Sequence, residues 1–185
     1  MEPQEIFVDH LRHALQQLQR YLAFGFTCAL ILLVLAASPP GSGTGGRPVP
    51  TPIGEFLVDP SLARILLIAI CIGTGFLSYT AVLDARRLAA RITDVSIRAA
   101  ALSFPTVATS TDPAIRLLGP MAPAIVYAVF LVVDGLYSAN PSFERYLGLG
   151  LFGIAPYLGV AYEARTQLGP ATASVTGTVS ASDEK

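Results

Sequence analysis

The chain has 185 residues, 52% hydrophobic and 14% charged, with a net charge of −1. A soluble domain carries about 25% charged residues, so this composition excludes an ordinary water-facing surface, and the near-neutral charge excludes bulk attraction to nucleic acid. The two cysteines, Cys28 and Cys71, have no CxxC or Cys/His spacing that would hold a metal; they are expected to be small apolar filler, with a redox pair inside the membrane as the alternative.

Residues 1–20 place Phe7, Leu11, Leu15, Leu18 and Leu22 at steps of four, four, three and four, which is one face of a helix. Pro3 suits a first helical turn. Only Arg12 and Arg20 are basic in this segment, so its stripe is expected to pack on protein rather than on a lipid surface. The segment leads into a first span at 21–38. A signal peptide cleaved near Ala36 is the alternative, but the twenty residues before the apolar run are amphipathic and acidic rather than short and basic.

Residues 39–60 form a loop dominated by proline and glycine, and no regular structure is expected there beyond an apolar patch at 53–58. Asp59-Pro60 then opens the second span. Aspartate supplies an N-cap oxygen, and proline at the first helical position lacks only an N–H that would be unpaired anyway. The same device recurs at Asp112-Pro113 and Asn140-Pro141.

The second span contains nineteen residues without a charge, 65–83. As a helix they reach about 28 Å, close to the thickness of a bilayer's hydrocarbon core. Runs of seventeen recur at 21–37, 117–133 and 146–162. Beyond the second span Leu88, Ile92, Val95, Ala99 and Leu102 continue at steps of four, three, four and three. This predicts one helix over 61–104, projecting from the membrane and ending before Pro105. A hydroxyl-rich turn at 105–112 follows. The third span, 113–138, has Pro120 and Pro123 near its start; the fourth, 141–165, has Pro156 near its middle, and its Ala155 and Gly159 would let another helix approach closely. The tail 169–185 is small, polar and aperiodic, and is expected to be disordered.

Four spans place both termini on one side. That side carries Arg12, Arg20, Arg86, Arg87, Arg91, Arg98, Arg116, Arg165 and Lys185, nine basic residues, against Arg47, Arg64 and Arg145, three, on the other. The positive-inside rule makes the nine-residue side cytoplasmic. The expected fold is all-α: an integral membrane four-helix bundle with amphipathic cytoplasmic helical extensions, in a bacterial inner membrane.

Residues suited to chemistry are few. His10 and His13 share a helix face without a third ligand, and the spans hold no histidine for haem. Asp134, about 27 Å along a helix from Arg116, falls at the outer boundary; Glu163 falls at the inner one. Both are expected to be interfacial anchors. The functional alternative is an intramembrane ion or proton site at Asp134, beside Tyr137 or Tyr79. No nucleophile motif, zinc motif or phosphate loop is present, so no catalytic residue, metal or cofactor is expected. The cytoplasmic stripes, Phe7, Leu11, Leu15 and Leu18 with Leu88, Ile92, Val95 and Leu102, are the candidate interaction surface and are expected to pair as a helical hairpin. The functional expectation is a non-enzymatic subunit, scaffold or regulator acting through helix–helix contacts, with an oligomeric small transporter or channel as the alternative. The expected partners are the bilayer and either another protein or further copies of the chain.

Overall fold

The computed structural model describes residues 3–37, 47–51, 54–58, 60–137, 142–166 and 168. The tail at 169–185, Asp59 and the Asn140-Pro141 start lie outside them.

Helix α1, Pro3–Ala37, is a single 35-residue helix, about 52 Å long at 1.5 Å per residue. The amphipathic stripe and the first span are thus one rod. Leu11, Leu15, Leu18 and Leu22 are buried, and the same face continues through Cys28, Leu32 and Ala36.

Strands β1, Arg47–Thr51, and β2, Gly54–Val58, follow as an antiparallel hairpin in register from Arg47↔Val58 to Thr51↔Gly54. This corrects the expectation of a structureless loop. Pro48 and Pro50 look prohibitive for a strand, but they alternate. Their missing donors therefore fall on one edge, and a strand in a two-stranded sheet has an edge free.

Helix α2, Pro60–Arg91, begins with proline as expected. It does not run on to residue 104. Asp94 takes an extended conformation and caps α3, Val95–Leu102, accepting from the Ser96 and Ile97 amides at 2.8 and 3.2 Å. Hydrogen bonds from the Ser96 hydroxyl first, and then from the Ile97 and Ser96 amides, hold the Asp94 carboxyl below the usual carboxylate range. The chain turns at residues 92–94 because the carboxylate offers the backbone N–H groups an alternative to the helical ladder. The turn re-aims the second half of the stripe: Ala101 and Leu102 are buried, whereas Val95 is 62% exposed.

The connection to the next helix is closed by Thr106 and Thr109, each hydroxyl accepting the other's amide N–H at 3.2 Å. Helix α4, Pro113–Tyr137, is capped by Asp112, whose Oδ1 accepts from the Ala114 amide at 2.8 Å. Helix α5, Phe143–Thr166, carries Pro156 in its interior.

The four long helices pack in the cyclic order α1, α2, α5, α4. Each is long and apolar enough to cross a membrane, and only 33% to 39% of the most apolar stretch of each is buried within the chain. Outward faces this apolar are tolerated by lipid and not by water. The chain is a multi-pass helical membrane bundle, with one short hairpin and one short helix outside the four spans among the described residues.

Candidate functional site

Among the described residues, the polar side-chain contacts between the spans gather at three levels. At the end nearest β1 and β2, Arg64 of α2 reaches two neighbours. Its Nη1 donates to Asp134 Oδ1 of α4 at 3.2 Å, and its Nη2 donates to the Leu35 carbonyl of α1 at 2.8 Å. The Tyr146 hydroxyl of α5 donates to Asp134 Oδ2 at 2.7 Å. One cation and one carboxylate thereby tie all four long helices. The Asp134 side chain is only 22% exposed, so its charge depends on these partners more than a surface carboxylate would.

At mid-bundle, the Tyr157 hydroxyl of α5 lies 3.0 Å from both the Thr74 hydroxyl and the Cys71 carbonyl of α2. Ser78 donates to the Thr74 carbonyl at 2.7 Å. Close packing makes room for the aromatic rings. Gly25 of α1 faces the Tyr157 hydroxyl, Gly75 lies under the Tyr157 ring, and Gly153 lies under the Tyr127 ring. Tyr127 shares a buried cluster with Cys28 and Cys71, both free thiols. Its hydroxyl is buried without a hydrogen-bond partner among the described residues.

At the opposite end, Arg86 of α2 donates from Nη1 to both oxygens of Glu163 on α5, at 3.0 and 3.1 Å. Glu163 is 10% exposed and Arg86 47%. Between this pair and mid-bundle the Tyr79 ring covers Gly159, where an added Cβ would stand 2.8 Å from a ring carbon. The Tyr79 ring therefore occupies the space over Gly159.

The structure thus places Asp134 with Arg64 and Tyr146. Tyr137 is 75% exposed, and Tyr79 lies against Gly159, toward the Arg86–Glu163 end. Arg64 escaped the sequence reading. Its one signal was opposite charge to Asp134 at the same end of a neighbouring span. Of the stripe residues, Leu11, Leu15, Leu18, Ile92 and Leu102 share one buried cluster, with Phe7 and Leu88 partly buried against it. His13 contacts Gln17 at 3.0 Å on its own helix. Among the described residues no three His, Cys, Asp or Glu side chains gather as a metal site would require. Comparison with known protein families, curated proteins and solved structures finds no match for the chain.

Proposed function

We propose that the chain is a non-catalytic membrane subunit that works by helix–helix contact, and that it receives a partner span or a second copy on the outward face of α2. The observation that carries this is Gly73. Gly25, Gly75, Gly153 and Gly159 are all filled by the chain's own tyrosines, whereas a Cβ at Gly73 would meet nothing within 4 Å. Gly148 of α5 is open too, but only Gly73 has a second exposed small residue, Ala69, four positions away. Leu66, Ile70 and Leu77 flank them, all exposed. A small-xxx-small step lets helix backbones approach closely in lipid, where packing rather than hydrophobicity drives association. The ion pairs support the same reading, because Arg64, Asp134, Arg86 and Glu163 are engaged in holding helices together.

Gly73→Ile tests this. We expect it to lower association between labelled chains in vesicles by about tenfold, roughly 1.4 kcal/mol, without changing thermal stability. Unchanged association would remove this face from the proposal. An oligomeric transporter or channel is the second reading, and the buried Tyr127 hydroxyl, without a partner among the described residues, favours it.

The basic-residue asymmetry supports an orientation with both termini and α3 in the cytoplasm. A cysteine introduced at Ser142 should react with an impermeant maleimide in intact cells, and one introduced at Ser96 should not. The reverse pattern would invert the topology.

A further inference from the structure

Helices α2 and α5 run in the same direction, since Gly75, Tyr79 and Arg86 meet Pro156, Gly159 and Glu163 in turn. They do not close along their whole length. A groove of about 350 Å³ opens between them, lined by Phe76 and Tyr79 on one side and by Phe152, Ala155, Pro156 and Gly159 on the other. These residues all belong to the apolar spans, and none of them carries a charge.

We propose that this groove holds one acyl chain of a phospholipid whose phosphate rests on Arg86. Three observations fix the occupant. The groove lies within the spans, so what reaches it from outside is hydrocarbon rather than water. Tyr79 and Arg86 are seven residues apart on α2, two turns on one helix face, which sets the cation about 10 Å below the groove. Arg86 engages Glu163 through Nη1, with Glu163 almost buried behind it, while the Arg86 side chain stays 47% exposed. An anionic group arriving along the groove therefore meets the guanidinium and not the carboxylate, and a guanidinium pairs phosphate oxygens through parallel N–H donors. Exposed Tyr162 flanks the same end of α5, at the headgroup level that tyrosines favour.

Native mass spectrometry of the delipidated full chain tests the site, with phosphatidylglycerol and a diacylglycerol of the same acyl chains as probes. We expect one phosphatidylglycerol retained per chain and diacylglycerol retained about tenfold less. Ala155 is exposed, so Ala155→Phe fills the groove from outside the core. It should reduce phosphatidylglycerol retention by about tenfold while the thermal midpoint stays unchanged. Gly73→Ile, on the neighbouring face of α2, should retain the lipid. Three results would overturn the proposal: full retention by Ala155→Phe, equal retention of diacylglycerol, or a dimer that Ala155→Phe dissociates, which would make the occupant a second copy.

Discussion

Replacing Gly153 by leucine should strongly destabilise the bundle. Even alanine there should be costly. Its Cβ would overlap the Tyr127 ring at three atoms, with Cζ and Cδ1 at 2.8 and 2.9 Å. That ring is 1% exposed and packed at 5.7 Å between centroids against buried Phe130, so it has no room to retreat. Alanine would gain up to about 1 kcal/mol of helix propensity, but overpacking a closed core costs about 1–3 kcal/mol, and the second term wins. Leucine adds volume where none exists and should exceed that range. Thermal unfolding in a mild detergent measures the loss. A Tyr127→Leu change should relieve part of it, so that Gly153→Ala with Tyr127→Leu costs less than the two changes summed. Gly73→Ala, with open space around it, is the control and should be neutral or slightly stabilising. Equal behaviour of the two glycines would contradict the packing described.

The second large effect is expected at Asp134. As an unpaired interfacial anchor, Asp134→Asn would be nearly silent. With Arg64 at 3.2 Å and Tyr146 at 2.7 Å, it should not be. Asparagine keeps the shape and an acceptor oxygen for Arg64 but removes the charge that balances the guanidinium. Breaking a fully buried pair costs about 3–5 kcal/mol; partial exposure of both side chains reduces the expected loss to about 1–3 kcal/mol. Arg64→Met should cost a similar amount, and the double variant less than the sum, because no charge is then left without its partner. Tyr146→Phe should cost least, since Arg64 still pairs the carboxylate. Additive losses for Arg64 and Asp134 would contradict the ion pair.

The four spans were legible because each is a local property: a charge-free run of sufficient length between charged ends. The α1 stripe was legible for the same reason, since its period of three and four residues continues unbroken from Leu11 to Ala36. Other features were not legible. The break at 92–94 depends on a competition that the hydrophobic period does not record, in which Asp94 captures two amides that a continuing helix would use. Val95 keeps its place in the period but loses its place in the core. The hairpin was hidden by composition, because Pro48 and Pro50 count against a strand until their spacing shows that both missing donors share an edge. The knot at Arg64 was hidden by distance: its partners lie 29 and 70 residues away along the chain, and only the ring order of the helices brings them together. In the same way the spacing of Ala155 and Gly159 does not reveal the Tyr79 ring over Gly159 or the open space at Gly73.

The mass of the particle extracted from the membrane tests most directly whether the chain acts as a subunit. In a mild detergent that keeps native lipid, we predict a particle heavier than one 19.5 kDa chain, reduced to the single chain by Gly73→Ile. A wild-type chain that emerges alone, and by itself carries solute across reconstituted vesicles, would contradict the subunit role and favour transport.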